Sequence, residues 1–211
     1  MFNTNNKPQP SMLSFAKELP NICSLLGLLS AVLGIYFAIE ENFSAAIIGL
    51  LWAVLFDWFD GIVARRMKDR TKEQGTLGAQ LDSMIDIVSF GVLPASLLLS
   101  YGDYDPWYLP GAFIVIASGA IRLSYFNVYG LIDNKTYLGL SVDSNGLILP
   151  LIFLFESFFS QANFSVILYA LLLVLSALNL SSIRVNKFGG RWIYAVVVYV
   201  LILTALFGWV I

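Results

Sequence analysis

Apolar runs long enough to cross a bilayer recur along the chain, separated by short polar connections. A membrane-spanning helix needs about 20 mostly apolar residues. Seven runs meet or approach this length, and the fifth is the shortest. Pro20 precedes the first run, and Gly189-Gly190 precedes the last. The pattern predicts an all-α, polytopic transmembrane helical bundle of about seven spans, with six to eight possible: 21–39, 44–66, 77–99, 107–128, 144–160, 164–182 and 191–211.

The polar N-terminus differs from the rest of the chain. The first twenty residues lack a positive region leading into a cleavable apolar core, so they do not resemble a signal peptide. We expect residues 1–10 to form a mobile tail. Residues 11–19 predict a short interfacial helix with Met12, Leu13 and Phe15 against lipid. A tail with only an anchoring role fits equally well. Residues 11–211 are predicted to form a single membrane domain.

Composition and charge support this topology. The chain is 58% hydrophobic and 12% charged, whereas soluble domains are about 25% charged. If the spans alternate, every Lys and Arg lies on the side of the N-terminus, and the opposite side carries acidic residues alone. Positive charge is retained in the cytoplasm, so that side is predicted to be cytoplasmic. The twelve cations are Lys7, Lys17, Arg65, Arg66, Lys68, Arg70, Lys72, Arg122, Lys135, Arg184, Lys187 and Arg191.

Four aspartates interrupt the second and third apolar runs. A charged residue at the centre of a membrane helix costs about 2.5–3.5 kcal/mol on insertion scales, and such residues usually face the bundle interior. Asp57 and Asp60 are near the end of one run, and Asp82 and Asp86 are near the start of the next. Helical spacing places each pair on one stripe. The two stripes are therefore predicted to face each other at one membrane level, near the cytoplasm.

The residue types favour a hard divalent cation. The chain has no His and a single Cys, so soft or nitrogen ligands are scarce. Four nearby carboxylates could not all ionise without cations. Oxygen ligands suit Mg²⁺ or Mn²⁺, and Ca²⁺ is a possible occupant. Catalysis and cation transport both remain open. The far halves of the two spans, 45–56 and 87–99, are nearly all apolar, which favours a site open to one face.

Small and basic residues accompany the aspartates in a recognisable order. The chain reads D-x-x-D-G-x-x-A-R from Asp57 to Arg65, then G-x-x-x-D-x-x-x-D from Gly78 to Asp86. This pattern resembles the signature of the CDP-alcohol phosphatidyltransferase family. The stretches 82–95 and 122–128, with Leu19-Pro20-Asn21, resemble its phosphatidylserine synthase branch.

The resemblance implies a reaction and roles for the motif residues. Such enzymes transfer a phosphatidyl group from CDP-diacylglycerol to a small alcohol and release CMP, in membrane phospholipid synthesis. It implies two divalent cations, Mg²⁺ or Mn²⁺, held by Asp57, Asp60, Asp82 and Asp86, with Asp86 also the candidate catalytic base. The donor would contact Asn21, Asp57, Asp60, Gly61, Ala64, Arg65, Gly78 and Asp82. It also implies a homodimer in a prokaryotic cell membrane, with the active site facing the cytoplasm.

The acceptor is the least defined part of the prediction. Serine is favoured, and inositol phosphate, glycerol phosphate or an amino alcohol are the alternatives. Ser89, Arg122 and Asn127 are the candidate acceptor residues. Arg122 could bind a substrate anion, pair with an aspartate of the cluster, or extend to the membrane surface. The stretch 139–145 departs from the branch pattern, and Asp143 or Asn145 could favour a different acceptor. The connection between Arg65 and Gly78 is also longer than the branch usually has.

Overall fold

The all-α prediction is confirmed, with one small β-ribbon added. The computed structural model describes residues 11–68, 70–133, 135–186 and 192–210, so the predicted tail 1–10 lies outside the described residues. The α-helices are α1 Met12–Ala16, α2 Leu19–Ile39, α3 Phe43–Arg66, α4 Lys72–Ile87, α5 Leu93–Tyr101, α6 Leu109–Tyr129, α7 Ser144–Phe153, α8 Gln161–Asn179 and α9 Trp192–Val210. A π-helical segment, Val88–Val92, joins α4 to α5, and 3₁₀ turns form at Pro106–Tyr108 and Glu156–Phe158. The strands are β1 Thr136–Leu138 and β2 Arg184–Asn186.

Six helical segments of the described chain are long and apolar enough to cross a bilayer. They match all the predicted spans except 144–160. That span contains the ten-residue α7 and then a 3₁₀ turn. Its far end is tied to α5, because the Tyr101 hydroxyl donates to Glu156 Oε1 at 3.0 Å. The segment begins beside the aspartates, since Asp143, directly before α7, lines one cavity with Asp57, Asp82 and Asp86.

Helix α4 begins earlier than the apolar pattern indicates. Thr71 caps it through a reciprocal capping box. The Thr71 side chain accepts from the Gln74 N–H at 3.2 Å, and the Gln74 side chain accepts from the Thr71 N–H at 2.7 Å. Such a box satisfies two backbone donors that a helix start leaves unpaired. The polar first turns, from Lys72, thus extend the helix beyond the predicted boundary at 77.

The closest helix packing joins α2 to α3. A Cβ added to Gly49 would lie 2.7 Å from the Gly34 Cα and 2.7 Å from the Ser30 carbonyl oxygen. Small residues at such crossings let helix backbones approach, and this is a common source of stability in membranes. The crossing fixes α3 against α2, and α3 also packs against α5, α7, α9 and the π-helical segment. The helix carrying Asp57 and Asp60 is therefore central to the bundle.

A proline next to the π-helical segment explains how α7 is anchored. Pro94 lacks the N–H that would reach the Phe90 carbonyl in a regular α-helix. Asn145 Nδ2 donates to that carbonyl oxygen at 3.0 Å. In membranes, neighbouring helices commonly satisfy backbone groups that a proline leaves unpaired. Asn145 is buried, and its hydrogen bond ties the start of α7 to the π-helical segment that follows α4.

The β-ribbon replaces what the sequence predicted as two loops. Strands β1 and β2 pair antiparallel, with Tyr137 opposite Val185. Gly139 follows β1 with φ +76°, and a Cβ there would lie 3.0 Å from the Ser181 carbonyl oxygen. A residue with a side chain would be strained in this conformation and would clash. The ribbon joins the α6–α7 and α8–α9 connections on the side of the membrane where the aspartates lie.

Replacing Gly49 by Ala should destabilise the protein, because the added methyl overpacks the α2–α3 crossing. Overpacking typically costs about 1–3 kcal/mol. Gly208→Ala is the matched control, since a Cβ there meets nothing within 4 Å. Thermal unfolding of both variants in detergent is the measurement. Equal midpoints for the two variants would show that the crossing tolerates a larger residue.

Candidate active site

Three of the predicted metal ligands converge between α3 and α4. Asp57, Asp82 and Asp86 each offer a carboxylate oxygen, and these oxygens lie within 4.8 Å of one another. Helical spacing brings Asp82 and Asp86 to one face of α4, and the packing of the bundle sets Asp57 opposite them. Anionic oxygens at this separation fit a hard divalent cation, which would relieve their mutual repulsion.

Asp60 lies beside this group and is oriented by α2. It is 7% exposed, and it accepts a hydrogen bond from the Ser24 hydroxyl. Ser24 in turn lies one turn after Pro20, whose carbonyl oxygen it also contacts at 3.1 Å. A buried carboxylate needs such partners to be tolerated. Helix α2 therefore contributes directly to the position of Asp60.

A cavity of about 210 Å³ opens between α2, α3 and α4, and we call it the α2-side cavity. It brings together every predicted donor-binding residue except Asp57. Its walls are largely backbone and small side chains, which leaves space for a ligand against the helices. The lining residues are Pro20, Asn21, Ser24, Asp60, Gly61, Ala64, Arg65, Arg70, Gly75, Gly78, Ala79 and Asp82.

A second cavity, of about 150 Å³, lies on the other side of the aspartates, and we call it the α6-side cavity. Asp82 borders both cavities, whereas Asp86 borders only this one. A wider space of about 230 Å³ adjoins it and shares six of its residues. The α6-side cavity is lined by Asp57, Asp82, Asp86, Arg122, Leu123, Phe126, Tyr137, Ser141, Val142 and Asp143.

Arg122 is the cation of the α6-side cavity. It is 5% exposed, and its Nε donates to the Leu140 carbonyl oxygen at 3.2 Å. Its guanidinium carbon lies 5.4 Å from the ring centroid of Phe126 and 5.5 Å from that of Tyr137. Within the described part of the chain, no carboxylate forms a salt bridge with it. Of the three roles left open for Arg122, pairing with an aspartate and extension to the surface are thus unsupported.

Tyr137 reaches this cavity from the β-ribbon. Burial raises the pKa of Tyr137 to about 12, and the nearby Asp143 carboxylate adds to the shift. The phenol therefore stays protonated at neutral pH and keeps its hydrogen for donation. Asp143 itself accepts a hydrogen bond from Trp58 Nε1 at 3.3 Å. The ribbon and the start of α7 together close the cavity on the side away from α4.

The other two candidate acceptor residues lie elsewhere. Ser89 is buried on the π-helical segment, in a cleft that borders the four aspartates but has no room for a water molecule. Its hydroxyl has no hydrogen-bond partner among the described residues. Asn127 is exposed, and it exchanges hydrogen bonds with Ser83 at 3.0 and 3.2 Å. Neither lines the α6-side cavity. The structure therefore leaves Arg122 as the candidate acceptor residue with access to open space.

Several residues that border the cavities were not predicted as site residues. Phe126, Tyr137 and Ser141 line the α6-side cavity, and Arg70 lines the α2-side cavity. Phe126 is on α6, but the others lie on connections, where apolar periodicity gives no information about what they contact. Asp143 stood out only because its stretch departs from the branch pattern. A carboxylate directly before an apolar segment was the available signal.

Comparison with known proteins gives matches along most of the chain. A profile of the CDP-alcohol phosphatidyltransferase family matches residues 17–210. An archaetidylserine synthase of Methanothermobacter thermautotrophicus is 34% identical over 173 residues, covering 82% of this chain and 71% of the relative. A CDP-diacylglycerol–serine O-phosphatidyltransferase of Methanocaldococcus jannaschii is 29% identical over 184 residues, covering 85% and 82%. A phosphatidylcholine synthase of Rhizobium johnstonii is 29% identical over 189 residues, covering 89% and 75%.

Replacing Asp82 by Asn should weaken Mn²⁺ binding, because a carboxylate oxygen of Asp82 is one of the three that converge. The loss should exceed the about 10–100-fold that is typical when a residue hydrogen-bonded to a metal ligand is removed. Asp103→Asn is the control, since Asp103 lies in the α5–α6 connection on the other side of the bundle, and Asn tolerates its positive φ of 52°. Free Mn²⁺ measured by electron paramagnetic resonance gives both affinities. Similar affinities in the two variants would argue against a metal site at Asp82.

Proposed function

This chain belongs to the CDP-alcohol phosphatidyltransferase family, and we propose that it transfers a phosphatidyl group from CDP-diacylglycerol to the hydroxyl of L-serine, releasing CMP. One observation carries the proposal. The cluster of aspartates lies between two cavities with different linings, and Asp82 borders both. A transferase needs this arrangement, because the acceptor hydroxyl must approach the phosphorus of the bound donor from the side opposite the departing CMP oxygen.

The α2-side cavity suits the nucleotide end of the donor. Gly61, Ala64 and Gly78 expose helix backbone to it, so a flat base and ribose can approach closely. Arg65 adds a guanidinium that can grip a phosphate with two charge-assisted bonds. A Cβ on Gly61 would lie 3.2 Å from Arg65 Nη1, so the bare glycine also gives that guanidinium room. The acyl chains of the donor would extend between helices into the lipid.

The aspartates would hold two divalent cations, Mg²⁺ or Mn²⁺. Asp57, Asp82 and Asp86 have converging oxygens, and Asp60 is kept in place by Ser24. When bound, such ions neutralise charge on a pyrophosphate and on its departing oxygen. The protein's own contribution is to keep these carboxylates at one level in a bundle whose deeper halves are apolar. Ser24 fixes which way Asp60 points before any ligand arrives.

Serine suits the α6-side cavity because Arg122 is buried there with no carboxylate partner among the described residues. A guanidinium can hold the carboxylate of serine with two charge-assisted hydrogen bonds. The rings of Phe126 and Tyr137 restrict where the guanidinium can move.

Asp86 would act as the general base, since it borders the α6-side cavity and not the α2-side cavity. The serine hydroxyl oxygen forms a bond to the phosphorus that carries the diacylglycerol. The bond from that phosphorus to the CMP oxygen breaks, and its electron pair leaves with CMP. The hydroxyl proton passes to Asp86. A base of this kind must lie within hydrogen-bond reach of the proton that it removes.

The membrane setting supports one orientation. The chain is an integral membrane protein, with apolar helices long enough to span. We propose that the site faces the cytoplasm, because the Lys and Arg residues of the described chain lie at the site's end of the bundle, while Glu40, Glu41, Asp103 and Asp105 lie at the other. A prokaryotic cell membrane and a homodimer remain proposals that rest on the family resemblance.

The acceptor assignment predicts a selective defect on replacing Arg122 by Lys. With CDP-diacylglycerol as donor, CMP release by the wild type should be fastest with L-serine in a panel that includes choline, inositol phosphate and glycerol 3-phosphate. Arg122→Lys should raise the KM for serine far more than that for the donor, because a Lys offers a point charge rather than a bidentate fork. Exposed Arg184, changed to Lys, is the matched control.

Two outcomes would contradict this account of the acceptor. The relative named a phosphatidylcholine synthase makes choline the main rival, and choline has no carboxylate for Arg122 to bind. Faster CMP release with choline than with serine would reject serine as the acceptor. Equal rises in KM for donor and serine in Arg122→Lys would assign this residue to general structure instead.

Replacing Asp86 by Asn should separate binding from chemistry. Asp57, Asp60 and Asp82 would still bind metal, and Asp86 does not border the α2-side cavity, so donor affinity should fall less than in Asp82→Asn. CMP release should drop about 10²–10⁴-fold, the usual cost of losing a general base. The measurement pairs donor binding with single-turnover CMP release. Parallel loss of binding and turnover would make Asp86 chiefly a metal ligand.

A further inference from the structure

Arg70 reaches from the α3–α4 connection to the start of α2. Its Nε forms a salt bridge with Glu18 Oε2 at 3.2 Å, and its Nη2 donates to Asn21 Oδ1 at 3.3 Å. The two charged side chains are 13% and 10% exposed, which is low for a pair at the membrane surface. The guanidinium is therefore held in one place rather than moving freely in solvent.

That place is inside the α2-side cavity. Arg70 lines it together with Asn21, Gly78 and Asp82. A Cβ added to Gly78 would clash with Arg70 Nη2 and would lie 3.0 Å from its Cζ. The guanidinium thus rests on the bare backbone of Gly78, in space that the proposed function gives to the CDP group. Donor binding must consequently either displace Arg70 or use it.

The chemistry of the guanidinium favours a role of Arg70 in binding the donor. Of its five N–H donors, the hydrogen bonds within the described chain go to Glu18 and Asn21. Gly78 is one helical turn from Asp82, about 6 Å along the axis, so a phosphate held near Asp82 is within reach of a long, flexible side chain. A phosphate can replace the Glu18 carboxylate as the anionic partner, because a guanidinium can bind it with two parallel hydrogen bonds, whereas Glu18 accepts one, from Nε.

We propose that Arg70 is a donor-binding residue: Glu18 holds its guanidinium over Gly78, and a phosphate of the CDP group displaces Glu18 and takes over the ion pair. Glu18 then acts as a positioning residue that competes with the ligand. This inference rests on the proposed function, because it takes the α2-side cavity to be the donor site. It adds a specific contact from a connection that lies outside the aspartate motif.

The test is calorimetric binding to the full-length protein in detergent at constant Mg²⁺. CDP is the charged probe, and cytidine is the probe without phosphate. Arg70→Gln should weaken CDP binding about tenfold or more, the range for losing hydrogen bonds to a charged group, and should leave cytidine unchanged. Arg70→Lys should lie between this variant and the wild type. Arg66→Gln, in the same region but exposed, is the control and should match the wild type.

Variants of Glu18 provide the second part of the binding experiment. Glu18→Gln should tighten CDP binding, because the competing carboxylate is gone, and should have no effect in the Arg70→Gln background. A purely structural ion pair would lower the unfolding temperature in both single variants while leaving CDP affinity unchanged. That result, or tighter CDP binding by Arg70→Gln, would overturn the inference. Absence of CDP binding by the wild type would overturn the proposed function as well.

Discussion

The repulsion among four carboxylates held at one level of a membrane bundle is the constraint on which the rest of the structure depends. Such partly buried groups need cations or hydrogen bonds to be stable side by side. Asp60 has the Ser24 hydroxyl, whereas Asp57, Asp82 and Asp86 turn their oxygens toward one another. An arrangement that repels itself when empty is well suited to binding divalent ions together with a pyrophosphate. The glycine crossing of α2 and α3 and the anchored start of α7 supply the rigidity that keeps it assembled.

The sequence predicted the aspartate centre well because its geometry is mostly local. Helical spacing alone aligns Asp82 with Asp86, and the shared membrane level follows from the span boundaries. The donor-side residues followed from the motif, and all but Asp57 meet in one cavity. The family expectation is confirmed, as is the helical bundle. In each case, neighbouring positions on one or two helices carried the information.

The parts that sequence reasoning missed depend on contacts between distant segments. Nothing local indicates that β1 pairs with β2, yet this ribbon places Tyr137 beside Arg122. The ion pair of Glu18 with Arg70 joins residues from different connections, so a count of charges per side could not reveal it. Asn127 was chosen from a motif resemblance, but its helical position points it to the exposed face near Ser83. Helix α7 begins beside the aspartates, a position that hydropathy does not measure.

The central claim is that one set of aspartates serves a nucleotide on one side and an alcohol on the other. A crystal structure of the protein with Mn²⁺ and CDP-diacylglycerol tests it most directly, with an anomalous difference map to locate the manganese ions. The account predicts two manganese peaks among Asp57, Asp60, Asp82 and Asp86, and the nucleotide in the cavity bordered by Asn21 and Gly78. Manganese peaks away from these carboxylates, or a nucleotide lying against Arg122 and Tyr137, would contradict it.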